Sequence, residues 1–303
     1  MIPPSPMLAP SEPLDWDELS PTKYYYFQPK LDGIRCKFHR GVPYTRTGKL
    51  IPNQQLANSL RDCYLSSPYN GMDLDGELLL WNPVTKWYCP FNTIQSVVMS
   101  RKRMNMVEAQ DWVYMVFDWY DSTPPFGRTF ERRAGVLWSC NQGKPWKDKI
   151  CLVKTGYGNV ANVRAQADTF VEIGYEGAML RLPNSPYKCG RVTERENYLR
   201  KIVEWVRDEA IVIEKRELQH NIDTSCKRIE NLHPGDTLGT LLVKSARFGE
   251  FEIGTGFTAA QRKEFWHDPS TVGRRLVYKY RPNHIKDKPC PAVFVGWRAE
   301  GEE

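Results

Sequence analysis

At 303 residues, with 41% hydrophobic and 26% charged residues, the chain has material for two domains with real cores and is not of disordered composition. Its 42 Lys and Arg against 36 Asp and Glu give a net charge of +6, which tolerates a polyanionic partner without demanding one. The eight cysteines are scattered singly without a CxxC pair, which argues against a zinc ribbon, a redox motif and a disulfide scaffold.

Residues 1–21 read as an irregular lead-in, with prolines at 3, 4, 6, 10 and 13 and neither the basic nor the apolar region of a secretory signal. No run approaches a membrane span, so a soluble intracellular protein is expected. Lys23 to Gln28 and Ile34 to Arg40 predict two strands of a hairpin whose mouth holds Pro29-Lys30-Leu31-Asp32-Gly33. Thr45-Arg46-Thr47-Gly48-Lys49 is a turn with two cations. Periodicity then predicts a helix over 54–65, a strand over 72–81, a short helix over 91–99 and a strongly apolar strand over 112–120. A helix over 129–140, a strand over 149–154, an amphipathic helix over 160–173 and a strand over 178–181 follow. Strands alternating irregularly with helices point to a layered α/β or α+β domain, and the lack of GxGxxG or P-loop spacing argues against a Rossmann or Walker site.

Composition shifts after about Arg207. Strands are expected at 209–218, 238–244, 250–254, 275–280 and 293–297, with one helix opened by the capping-box spacing of Thr258 and Gln261. Five short strands and a helix predict an OB-type barrel, with a small SH3-like barrel as the alternative. The domains are therefore drawn as 1–206 and 207–303, with the boundary at 206–208. The polar stretch 219–236 lies between the first two barrel strands and reads on its own as a surface loop.

The chemistry concentrates around Lys30. A lysine is a poor nucleophile until its amine loses its proton, through desolvation or beside another cation or a metal. Arg35 supplies such a cation, and Gly33 would let the backbone approach a ligand. Alternation sends Asp73, Asp75 and Glu77 to one face of a strand, where Glu77 is a candidate Mg²⁺ ligand. Glu176 repeats the pattern of a carboxylate beside a glycine at a strand start. Phe117 offers an aromatic face beside Asp118, and Lys201 ends a polar run from Arg195.

Taken in order, KxDGxR at Lys30, the TRTGK turn, DGE at Asp75, FD at Phe117, EGxxxR at Glu176 and a lysine before a barrel resemble the covalent nucleotidyltransferases. With FEIGTGF at 251–257 the resemblance runs end to end and is to the minimal, virus- and phage-encoded ATP-dependent DNA ligases. It implies an α+β nucleotidyltransferase domain of ATP-grasp-like type followed by an all-β OB-fold domain. The implied activity is ATP-dependent sealing of nicks in duplex DNA through a lysyl-AMP intermediate, with ATP and Mg²⁺ or Mn²⁺ as cofactors. Carried over by position, Lys30 is the nucleophile, with Asp32, Arg35 and Lys201 as catalytic partners. Phe117 stacks on adenine, Glu77 and Glu176 serve ribose or metal, and Lys30, Arg35, Lys201 and Lys288 contact the nucleotide. Arg46, Arg191, Lys244, Arg247, Arg262 and Lys263 contact DNA, and residues 219–236 are placed as a DNA-clamping insertion. The resemblance further implies a hinge at 206–208, about which the barrel closes over ATP and reopens for DNA, and a monomer in the cytoplasm or on the nucleoid.

Two positions depart from the family pattern. Val203 stands where a second lysine is usual, and Lys288-Pro289-Cys290-Pro291-Ala292 replaces the C-terminal basic motif. The alternatives are a capping guanylyltransferase, an RNA ligase, or a non-catalytic nucleic-acid-binding relic of the fold.

Overall fold

The computed structural model describes residues 3–11, 14, 16–101, 111–121, 128–142, 149–203, 205–221, 232–281 and 288–298. The chain divides into two units, Met1–Val203 and Glu204–Glu303.

In the first unit, alternation of apolar residues builds two antiparallel sheets. One runs β4 (Val42–Thr45), β3 (Ile34–His39), β5 (Asp73–Asn82), β7 (Trp112–Tyr120) and β8 (Ile150–Leu152), with β6 (Trp87–Tyr88) added to the end of β5 and only β7–β8 parallel. The other runs β12 (Leu199–Val203), β10 (Gly177–Arg181), β2 (Tyr25–Pro29) and β9 (Gly156–Gly158). A parallel pair, β1 (Met7–Leu8) and β11 (Gly190–Arg191), completes the set.

Helices cover both sheets. Leu56, Leu60 and Tyr64, spaced four apart on α1 (Gln54–Ser66), share a core with Ile94, Val97 and Val98 of α2 (Phe91–Met99) and Leu137 of α3 (Phe130–Asn141). On α4 (Val160–Glu172), Val163, Ala167 and Phe170 join Tyr25, Phe27, Ala178 and Leu180 under the second sheet. Side-chain oxygens of Asn53, Thr129 and Asn159 cap α1, α3 and α4.

The expected hairpin around Lys30 does not form. β2 pairs with β10 and β9, whereas β3 pairs with β4 and β5, so residues 30–33 carry the chain from one sheet to the other. Gly33 also differs from its expected role. A Cβ there would lie 2.3 Å from the Leu78 carbonyl oxygen and 2.9 Å from Glu77 Cγ, so the missing side chain serves the approach to β5 rather than to a ligand. Gly33→Ala should therefore destabilise the chain by about 1–3 kcal/mol in urea unfolding, the range of overpacked cores. A change below about 0.5 kcal/mol, the scale of neutral surface changes, would mean that the crossover moves freely.

The second unit is a five-stranded sheet ordered β15 (Gly249–Ile253), β14 (Leu232–Ser245), β13 (Val206–Asn221), β16 (Arg275–Tyr280) and β17 (Val293–Trp297). A parallel bridge between Thr255 and Val293 joins its two ends, and α5 (Ala259–His267), capped by the expected Thr258/Gln261 box, lies between β15 and β16. Closed order and helix position are those of an OB fold rather than an SH3-like barrel.

Two expectations change here. Residues 206–208, expected as a hinge, pair with 280–278 inside the sheet. Both ends of the stretch 219–236 are strand, not loop, paired through Gln219–Pro234 and His220–His233. The described part of this arm beyond the barrel is mostly exposed, so no apolar alternation marked it. Residues 222–231 of the expected clamp lie outside the described residues.

Candidate active site

Lys30 extends the β2–β10 ladder by one step. Its N–H donates to the Gly177 carbonyl at 2.8 Å, and the Glu176 N–H donates to the Lys30 carbonyl at 3.2 Å. Gly177, with φ +136°, permits this: a Cβ there would lie 2.1 Å from the Ile202 carbonyl oxygen. The ladder thus sets Glu176 beside Lys30, and their side chains form an ion pair. On β12, Lys201 lies opposite Met179 of β10. Lys201 is therefore inside a sheet strand, not at the end of a surface run.

The facing sheet supplies the other wall. Arg35 and Glu77 are cross-strand partners on β3 and β5. The Arg35 guanidinium donates to both Asp75 oxygens at 2.6 and 2.7 Å and lies 4.5 Å over the Phe117 ring. Register shifts between Asp75 and Gly76, which pair with Asp118 and Val116, so Phe117 is the extra residue of a β-bulge. Such a bulge re-aims side chains: Phe117 lines the cavity while its neighbour Asp118 is fully buried between Arg133 and Arg181.

The three acidic residues of β5 do share a face, as alternation requires, but they have separate uses. Asp73 accepts from the Arg40 N–H at 2.7 Å and pairs with His39. Asp75 is taken by Arg35 and by the Tyr187 hydroxyl at 2.5 Å. Burial acts to raise its carboxyl, yet Arg35, Lys37 and the Tyr187 hydrogen bond together outweigh burial and hold it below the ordinary range. Glu77 goes the other way: burial pushes it up to about 7, against the pull of Arg35 and Lys30. Two carboxylates on one face are thereby split into a fixed anion and a group that titrates near neutrality.

These walls enclose a cavity of about 340 Å³, a volume suited to a small ligand. Of the expected residues, Lys30, Arg35, Arg46, Glu77, Phe117, Arg191 and Lys201 line it. Asp32 and Glu176 do not, although Glu176 reaches the site through Lys30. Sequence reasoning gave no role to Gln28, Met179, Arg181 or the Met7-Leu8-Ala9 segment, all of which line the cavity. Gln28 is buried in β2 and its Nε2 donates to the Phe117 carbonyl and to Thr155 Oγ1, both at 3.0 Å. A polar residue on an otherwise apolar strand was the available signal.

Lys288 and the four expected DNA contacts of the barrel belong to the second unit. Lys244 and Lys263 are exposed there. Arg247, also exposed, donates to the Tyr280 hydroxyl at 2.9 Å. Arg262 is a correction. Its guanidinium donates to the carbonyls of Leu238, Gly239 and Gly254 at 2.6–2.8 Å, so it clamps the barrel instead of being presented to a phosphate.

Among the described residues no three His, Cys, Asp or Glu side chains converge as a metal cage. The donor chemistry still fits a Mg²⁺-type ion, which is held by one or two carboxylates with phosphate oxygens completing the shell. Glu77 and Glu176 would be those carboxylates, one in the cavity wall and one paired with Lys30.

Glu77 predicts a pH dependence. Its carboxyl titrates at 4.5 when unperturbed and at about 7 when folded. Between those values the folded chain keeps a proton that the unfolded chain has released, so stability falls through this group as pH rises and the loss levels off above about 7. Glu77→Gln, which has no such proton, should gain stability relative to the parent between about pH 5 and 8 in paired urea titrations. A constant difference across that range would place the Glu77 carboxyl at its ordinary value.

Comparison with known proteins agrees with this geometry. A family model for the ATP-dependent DNA ligase domain matches residues 6–203, and one for the DNA ligase OB-like domain matches residues 234–298. DNA ligase 4 of Coprinopsis cinerea is 28% identical over 177 residues, which cover 54% of this chain; the chain spans only 17% of that relative's length. Among solved structures, a Lig E DNA ligase has the same fold, with TM-score 0.72 and 21% identity over 98% of this chain and 100% of that one. The Chlorella virus DNA ligase-adenylate gives TM-score 0.54 and 25% identity over 99% of both chains. With most of its length matched by the first model and a Lys30 cavity between two sheets, the chain belongs to the ATP-dependent DNA ligase family.

Proposed function

We propose that the chain seals nicks in duplex DNA at the expense of ATP, with Lys30 as the covalent nucleophile. The observation that carries this reading is the composition of one cavity. Lys30, Arg35, Arg46, Arg181, Arg191 and Lys201 line it with Glu77 and the apolar Phe117 ring; Lys30, Arg35 and Arg181 are paired with Glu176, Asp75 and Asp118, so Arg46, Arg191 and Lys201 supply its excess positive charge. Such a wall attracts a polyphosphate and offers a base somewhere to stack. Gln28 spends its Nε2 on the protein, which leaves Oε1 as the acceptor it can offer, suited to the amino group of adenine and not to the keto group of guanine.

The chemistry follows from positions. The Lys30 amine, once neutral, attacks the α-phosphorus of ATP and the bond to pyrophosphate breaks; Glu176 is the carboxylate within reach of the departing Nζ proton. Arg35 and Lys201 stabilise the charge that develops on the phosphoryl oxygens, which is most of what such a transfer requires. A 5′-phosphate oxygen of the nick then attacks the adenylate, the P–N bond breaks and Lys30 is regenerated. Finally the 3′-hydroxyl attacks that 5′-phosphate and AMP leaves. Arg46 and Arg191, which line the cavity and are exposed, would hold the 5′-phosphate. Glu77 and Glu176 would hold a divalent ion, which when bound neutralises phosphate charge.

The test is incubation of the chain with Mg²⁺, ATP and a nicked duplex labelled at the 5′-phosphate. Joining of the label into an intact strand, with ATP but not with GTP, is the expected result. In a parallel incubation with α-labelled GTP, label transferred to the protein would instead make the chain a guanylyltransferase.

A further inference from the structure

The lead-in segment, expected to be irregular, is an extended strap with two differently used edges. On one edge the Gly190 N–H donates to the Pro6 carbonyl at 3.2 Å and the Val192 N–H donates to the Leu8 carbonyl at 2.8 Å, which seats β1 on β11. In extended backbone, carbonyls two residues apart point the same way, so those of 7 and 9 face the opposite edge, and that of Ser11, at a bend, joins them in meeting a cation. Each of the three accepts from a cation of the site. Arg35 donates to the Met7 carbonyl at 3.1 Å, Arg191 to the Ala9 carbonyl at 2.6 Å, and the Lys201 amine to the Ser11 carbonyl. Met7 is fully buried, and its N–H donates to the Tyr187 hydroxyl at 3.4 Å, so the strap is anchored at the end nearest Arg35.

We infer that this carbonyl edge is a positioning element for phosphate recognition. It sets where Arg35, Arg191 and Lys201 hold their charges. A carbonyl carries no net charge, so these bonds orient Arg191 and Lys201 without cancelling their charge as a carboxylate would, whereas Arg35 is also paired with Asp75. Long Lys and Arg side chains otherwise lose substantial rotamer freedom when they bind an anion, and part of that loss is met in advance by the strap. Met7, Leu8 and Ala9 themselves line the cavity, which places the edge at the ligand rather than behind it. The inference rests on the nucleotide reading of the cavity and adds that residues 7–11 act through the cations in phosphate binding.

Binding of α,β-methylene-ATP, which cannot transfer its adenylyl group, tests this without chemistry. One glycine inserted between Pro10 and Ser11 leaves β1 seated and moves the Ser11 carbonyl away from Lys201. The expected result is about tenfold weaker binding of the analogue, the scale of one charge-assisted hydrogen bond, with adenosine binding and the unfolding temperature unchanged. A second variant, starting at Pro10, lacks the Met7 and Ala9 carbonyls. It should bind the analogue more weakly still, and a peptide of residues 1–9 added at saturation should restore binding. Unchanged affinity for the analogue in the insertion variant overturns the inference. So does an equal loss for adenosine and the analogue, which would mark the strap as a structural wall only. If the parent chain itself binds no α,β-methylene-ATP, the nucleotide reading falls first and takes the inference with it.

Discussion

Lys30→Ala should lose ATP-dependent sealing by roughly 10⁴-fold or more, as removal of a catalytic nucleophile does elsewhere. The variant should nevertheless join a nick that already carries AMP on its 5′-phosphate. On the proposed reading the amine serves only to carry AMP from ATP to DNA, and the final attack by the 3′-hydroxyl would use Arg35, Arg46, Arg191 and Lys201, which line the cavity and which the substitution leaves in place. No covalent label from ATP should appear on the variant by denaturing gel or intact mass. The parent Lys30 is held by Glu176, so Glu176→Gln should show a different pattern: the amine keeps its place in the ladder, whose bonds are main-chain, but loses its acidic partner. Adenylylation should slow, with an altered pH profile, rather than vanish. A Lys30→Ala chain that still acquires label would move the nucleophile to another residue. Loss of sealing on the pre-adenylylated nick as well would mean that the site had collapsed, a separate outcome visible in the unfolding curve.

The parts of the fold that follow from local periodicity were legible in the sequence. α2 and β7 occupy the expected spans, and the Thr258/Gln261 box caps α5 as expected, because each is decided within a dozen residues. What the sequence hid was pairing between distant segments. Lys30 reads as the mouth of a hairpin because two strands flank it closely, yet each strand finds better partners far along the chain, in β10 and β5. The same blindness applies to the strap: Met7–Leu8 is too short to show a period and gains its structure from β11, about 180 residues later. At the site, residues set in quoted motifs met as expected in the case of Lys30, Arg35, Glu77 and Phe117. Arg262 misled because charge in a helix beside a glycine-rich turn looks the same whether it meets phosphate or three carbonyls of its own barrel.

Asp118→Ala should be the most destabilising single change near the site. The carboxylate accepts from Arg133 at 2.8 and 3.1 Å and from Arg181 at 2.9 Å, and all three residues are almost completely buried. Removing it leaves two guanidinium groups facing each other without an anion, a loss on the order of 3–5 kcal/mol where one partner of a buried pair is deleted. That is a large share of the ~5–15 kcal/mol that holds an ordinary domain together, so the variant should unfold at markedly lower urea. Asp118→Asn keeps the shape and an acceptor but not the charge, and should fall between the two. The effect should also reach the nucleotide. Asp118 follows Phe117 in the bulge, and the Arg181 guanidinium lies 6.0 Å from the Phe117 ring while itself lining the cavity. Freed from Asp118, Arg181 has no reason to stay beneath that ring, so ATP affinity should drop together with stability. Replacing Asp118, Arg133 and Arg181 all with leucine separates the two effects. An apolar trio leaves no charge buried and can be close to neutral for stability, yet it removes one cation from the cavity wall. If the triple variant recovers stability while ATP affinity stays low, the triad serves the site. If both recover together, the arginines of the triad matter only as buried charges that must be paired.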